Sequence, residues 1–159
     1  MNQFYTTLLL CSLCCYAWTA LVISKDMTKA QLQEIETRTM EECKKAYNVN
    51  ETTYEKFFMS SGSVTPTKEI KCMLKLYAEK MGFLKNNKTD WEAIISLEKY
   101  YHENEEDIKK SVEAVMKCKQ SVVEGADLCE NSYLVAKCLQ DAYRKACIEI
   151  GECKPETTS

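Results

Sequence analysis

The sequence predicts an all-α domain of six helices. Three observations carry that expectation. Apolar residues recur at helical spacing almost throughout the chain. Among 159 residues there are only four glycines and two prolines, too few turn-formers for a chain of many short strands. Third, the chain holds ten cysteines, enough to staple a small helical fold.

The elements follow in order. From Thr28 to Tyr47, Leu32, Ile35, Cys43 and Tyr47 fall near one stripe. A short helix over Glu51–Met59 groups Tyr54, Phe57 and Phe58, and Ser60–Ser63 reads as a loop. Thr65-Pro66 opens the third helix, with proline placed in its first turn. Ile70, Met73, Leu74, Tyr77 and Met81 give that helix its face, and Gly82 stops it. Asp90 caps a fourth helix carrying Trp91, Ile94, Ile95 and Leu97. Asn104 caps a fifth, with Ile108, Val112, Val115, Met116 and Val122 on one side, and Gly125-Ala-Asp breaks the pattern. The last helix carries Leu134, Val135, Cys138, Leu139, Ala142 and Tyr143 and is expected to end near Gly151, with 154–159 a loose tail.

Residues 1–24 form an expected signal peptide. They contain no Asp, Glu, Lys or Arg, and Leu8–Ile23 has the length of a signal-peptide apolar core, although a short membrane helix has a similar look. No Lys or Arg precedes that core, a departure from the usual pattern. Val22 and Ser24 are small enough for cleavage after Ser24. The domain is then 25–159, with seven cysteines: Cys43, Cys72, Cys118, Cys129, Cys138, Cys147 and Cys153. A secreted, extracellular, cysteine-rich domain points to disulfides rather than thiol chemistry. Asn50 and Asn87 begin N-x-T sequons and are candidate glycosylation sites.

Charge and motifs exclude several functions. The net charge of −3, from interspersed residues, gives no basic footprint for nucleic acid. His102 is the single histidine, which leaves His-based triads and His-rich metal sites without their residues. No glycine-rich phosphate loop, G-x-S-x-G or calcium-loop spacing is present. The C-C-x-x-H helix and glycine-rich calcium loop of secreted phospholipases A2 are absent too, as is any C-x-x-C pair after residue 24. No catalytic residue, cofactor or metal is expected.

Cysteine spacing carries a resemblance. Twenty-eight residues separate Cys43 from Cys72, ten separate Cys118 from Cys129, and eight separate Cys129 from Cys138. With the text Ile70-Lys-Cys-Met-Leu-Lys-Leu-Tyr-Ala-Glu-Lys-Met-Gly-Phe83 and Asp127-Leu-Cys-Glu-Asn-Ser-Tyr-Leu-Val-Ala-Lys-Cys138, the chain resembles the insect odorant-binding proteins, the pheromone- and general-odorant-binding group, from Thr28 to Cys147. That family has six helices and six cysteines, the second and third separated by three residues. Here Leu76 stands at the third cysteine's place. The family pairs first with third, second with fifth and fourth with sixth. Carried over, this implies Cys72–Cys129 and Cys118–Cys138 and leaves Cys43 without its partner. Cys147 and Cys153 lie beyond the pattern. Either they pair with each other and Cys43 is free or intermolecular, or Cys43 joins one of them.

The resemblance further implies a bundle around an apolar cavity that reversibly binds small hydrophobic molecules of odorant or pheromone type. Candidate lining residues are Phe57, Phe58, Met73, Tyr77, Met81, Ile94, Leu97, Val112, Val115, Met116, Leu134 and Tyr143. The methionines suit a cavity that adapts, and Tyr77 or Tyr143 is placed to offer a hydroxyl to a polar head. Each of these residues serves equally as ordinary core. His102, beside Glu103, Glu105, Glu106 and Asp107, reads first as a solvated loop residue and second as a contributor to acid-triggered release. The partner expected is a small hydrophobic molecule, with no nucleic acid and no membrane after cleavage, in a monomer or dimer. The alternatives are the same fold as a scavenger or carrier in saliva, haemolymph or seminal fluid, and a helical protein-interaction module with a filled core.

Overall fold

In a computed structural model, residues 27–59, 65–146 and 148 are described. The expected signal peptide, Cys147, Cys153 and the tail lie outside the described residues.

Six helices occur among them: α1 (Lys29–Ala46), α2 (Glu51–Met59), α3 (Lys68–Lys80), α4 (Trp91–Tyr101), α5 (Glu105–Ser121) and α6 (Leu128–Ala146). Each starts where a side-chain oxygen can accept from an otherwise unpartnered amide of the first turn. Thr28 and Gln31 form a reciprocal capping box on α1. The Asn50 Oδ1 accepts from the Thr53 amide at 2.8 Å, Asp90 Oδ1 from Ala93 at 3.1 Å and Asn104 Oδ1 from Asp107 at 2.8 Å. Asp127 Oδ1 accepts from both Cys129 and Glu130.

Three local expectations are corrected. Pro66 is not in the first turn of α3: the Thr67 hydroxyl caps Ile70, so the helix begins at Lys68 and the proline precedes the cap. The last helix ends at Ala146, short of Gly151, and Ile148 turns back so that its amide donates to the Tyr143 carbonyl at 3.0 Å. Between α3 and α4 lies an unforeseen hairpin, β1 (Leu84–Lys85) paired antiparallel to β2 (Lys88–Thr89). Its tip, Asn86 and Asn87, has φ of 52° and 61°. Two consecutive positive-φ residues suit the right-handed twist of a two-residue hairpin, and asparagine tolerates that region. Gly82 does end α3. Its φ is 78°, and the Phe83 and Gly82 amides return to the Ala78 and Glu79 carbonyls at 2.7 and 3.2 Å.

The helices pack through three apolar clusters. One joins α1, α2 and α3 through Cys43, Val49, Phe57, Ile70, Met73, Leu74 and Leu76. A second joins α4, α5 and α6 through Ile94, Ile95, Val115 and Val135. The third joins Leu32, Met81 and Leu97. Two disulfides fasten neighbours to α6, Cys72–Cys129 from α3 and Cys118–Cys138 from α5. These are the two pairs that the family resemblance implies. Cys43 is a free thiol at 0% exposure, and Leu76 fills the same cluster.

Chain-entropy reasoning separates the two crosslinks. The 57-residue separation of Cys72 and Cys129 is worth about 4 kcal/mol and the 20-residue separation of Cys118 and Cys138 about 3 kcal/mol. The Cys72→Ala/Cys129→Ala pair should lower unfolding free energy in urea more than Cys118→Ala/Cys138→Ala; equal or inverted losses would contradict this ordering. Burial pushes the Cys43 thiol up to about 11. The thiolate is the reactive form, so at pH 8 native Cys43 should react with a thiol reagent at least tenfold more slowly than the same cysteine in urea. An equal rate would show that Cys43 is not enclosed.

Candidate functional site

Between the clusters lies a cavity of about 1190 Å³. Each wall comes from one stripe of a helix. The α1 wall is Lys29, Gln33, Glu36 and Met40, and α2 contributes Phe58. From α3 come Leu74, Tyr77 and Ala78, followed by Phe83, Leu84 and Thr89 around the hairpin. The α4 wall is Ile94, Leu97, Glu98 and Tyr101, with His102 at its end. Asp107 of α5, Ser132, Val135, Ala136, Leu139, Gln140, Tyr143 and Arg144 of α6, and then Ile148 complete the lining.

Two tyrosine–carboxylate pairs punctuate this surface. The Tyr101 hydroxyl donates to Glu36, joining α4 to α1, and the Tyr143 hydroxyl donates to Glu98, joining α6 to α4. Glu98 is 7% exposed. A buried carboxylate is costly without donors, so each pair fixes its helices as well as marking a polar spot. Lys29 Nζ donates to the Tyr101 carbonyl at 2.8 Å. Gln140 and Arg144 both donate to the Phe58 carbonyl, at 2.8 and 2.6 Å, clamping the end of α2 to α6. Burial, with the Glu36 carboxylate nearby, raises the Tyr77 hydroxyl far above the ordinary tyrosine range and keeps it neutral.

The candidate residues divide among several places. Phe58, Tyr77, Ile94, Leu97 and Tyr143 line the cavity. Phe57, Met73 and Val115 are buried within the packed clusters, Met81 is enclosed with Leu32 and Leu97, and Val112 packs against the Ile94–Val115 cluster. Leu134 faces a separate groove between α5 and α6. Met116 does not point inward: it is 36% exposed, one position beyond the fully buried Val115 and so rotated away from the interior. Of the three methionines read as adaptable lining, none lines the cavity; Met40 does.

His102 is not a solvated loop residue. It is the C-cap of α4, its side chain is 16% exposed, and its Nε2, buried and without a hydrogen-bond partner, lies 3.6 Å from Glu98 Oε2. The α4 stripe that buries Ile94 and Leu97 carries Glu98 and Tyr101 to the same side, which draws the next residue inward. Polar lining residues were the ones that apolar periodicity passes over. A signal for them exists: Glu36 is four residues after Leu32 and Glu98 four after Ile94, charged residues standing on apolar stripes. Of the two sequons, Asn87 is exposed at the hairpin tip, whereas Asn50, also exposed, spends its side-chain oxygen on the α2 cap.

Comparison with known proteins agrees with this architecture. No curated protein matches the sequence. Among solved structures, Apis mellifera odorant binding protein 5 is similar with a TM-score of 0.63 at 16% identity, over 80% of this chain and 98% of that one. At that identity the likeness concerns the fold. The sequence model of the PBP/GOBP family matches residues 25–142. A match over most of the chain, together with the six helices and the crosslinks on α6, establishes that the chain belongs to the PBP/GOBP family.

Proposed function

We infer that this protein is a secreted, non-catalytic carrier that holds a small hydrophobic molecule reversibly in its central cavity. The observation that carries this reading is the cavity itself, about 1190 Å³ bounded by residues from all six helices. Small-molecule sites are concave and mostly apolar, with a few polar groups that set orientation. Leu74, Phe83, Ile94, Leu97, Val135 and Leu139 supply the apolar surface, and the Glu36–Tyr101 and Glu98–Tyr143 pairs supply the polar spots.

Burying a chain of a dozen carbons is worth on the order of 10 kcal/mol at about 0.8 per methylene. Lost freedom and ordering of side chains take back a large part of this. The net is affinity strong enough for capture and weak enough for release. Membership of the family favours this reading over a filled interaction module, because a filled core would leave no such space. For export, the charge-free segment 1–24 is the supporting feature. Among the described residues no helix is long and apolar enough to cross a membrane.

Filling the cavity from one wall tests the assignment. Ala136 lines the central cavity and Leu134, two residues earlier on α6, lines the outer groove. Ala136→Trp should weaken binding of a fluorescent apolar probe at least tenfold, and Leu134→Trp should leave it within twofold, with circular dichroism confirming that both are folded. Saturable probe binding that is indifferent to Ala136→Trp, or no binding by the unmodified chain, would refute the carrier reading.

A further inference from the structure

We propose that the groove between α5 and α6 is a second ligand site, for a single-chain amphiphile with an anionic head such as a fatty-acid carboxylate. This site is separate from the central cavity and does not depend on its occupant. Its volume is about 710 Å³, within the range of small-molecule sites. Four lysines rim it, Lys110 and Lys117 from α5 and Lys137 and Lys145 from α6. Their spacings of seven and eight residues keep each pair on one helical face. Glu113 and Asp141 stand in the same lining, so lysines outnumber carboxylates four to two there, whereas the whole chain carries a net charge of −3.

Two of the lysines are engaged, Lys137 with Asp141 at 2.9 Å and Lys110 with Glu106 at 2.7 Å. Among the described residues Lys117 and Lys145 form no ion pair, and both are exposed. The apolar part of the groove is Val122, Val123 and Leu134. Val123 is 84% exposed, the most exposed large hydrophobic side chain among the described residues. Lysine stems add apolar surface while their ammonium groups stay in water. An alkyl chain laid on the valines and Leu134 therefore leaves its carboxylate among the lysines. The central cavity has the opposite balance, because Glu36, Glu98 and Asp107 outnumber Lys29 and Arg144 in its lining, which disfavours an anionic head.

The test titrates dodecanoate, below its micelle concentration, into the full chain and its variants by calorimetry. The Ala136→Trp chain should keep one saturable dodecanoate site. Lys117→Glu/Lys145→Glu in that background should weaken it at least tenfold, and so should raising the salt from 0.05 to 0.5 M, as expected of an exposed charge contact. Dodecanol, with the same chain and no charge, should bind this site at least tenfold more weakly. Leu134→Trp should block it; should that variant not fold, the exposed lysine pair carries the test. Loss of all dodecanoate binding in Ala136→Trp, indifference to charge reversal, or affinity for anionic vesicles without affinity for monomeric dodecanoate would each overturn the proposal.

Discussion

The covalent attachment of both α3 and α5 to α6 is the constraint on which the rest of the structure depends. A chain that encloses open space gives up some of the close packing that ordinarily holds helices together. Here the loss is offset from outside the native contacts. Crosslinks act largely by restricting the unfolded ensemble, so they stabilise without demanding that the interior be full. The two bonds also fix α6 in rotation. One of its faces carries Val135, Ala136, Leu139 and Tyr143 to the central cavity, and the next carries Leu134, Lys137, Asp141 and Lys145 to the outer groove.

Polar contacts then set the shape of the hollow. The helices around it are joined by long side chains reaching across: Glu36 with Tyr101, Glu98 with Tyr143, and Gln140 and Arg144 with the Phe58 carbonyl. In the first turn of α6, Asn131 is 3% exposed and exchanges two hydrogen bonds with the Gly125 backbone, at 2.8 and 2.9 Å, which holds the α5–α6 connection closed. These are short-range, directional contacts. They keep walls apart at set distances, something that apolar packing alone does not do.

Much of this was legible in the residues. Helical periodicity located all six helices, and Gly82, Asp90 and Asn104 marked boundaries correctly because their roles are local. The hairpin escaped because four paired residues are too few for a period of two to register, although Asn86-Asn87 carried a turn signal. The site was less legible. Periodicity says that Met73, Phe57 and Val115 are inside, but it does not separate a packed interior from a hollow one; that depends on how six stripes meet in space. Glu98 was passed over because the reading followed apolar residues, and His102 was read first as solvated because its sequence neighbours are acidic, whereas its position at the end of the α4 stripe draws it inward.

The unpaired Cys43 has a consequence for how the fold comes apart. With Leu76 where a third crosslink belongs, α1 is retained by Cys43 and Leu32 in the core, by the Lys80–Glu42 ion pair at 2.6 Å and by its contacts with Tyr101, and by no sulfur bridge among the described residues. The disulfide-linked α3–α5–α6 unit holds the covalent restraints, and subglobal opening follows the weakest cooperative unit. Because α1 supplies Lys29, Gln33, Glu36 and Met40, its opening would unroof the hollow with both disulfides of the described residues intact. The chain thus sets a wall without a covalent tie beside a crosslinked frame.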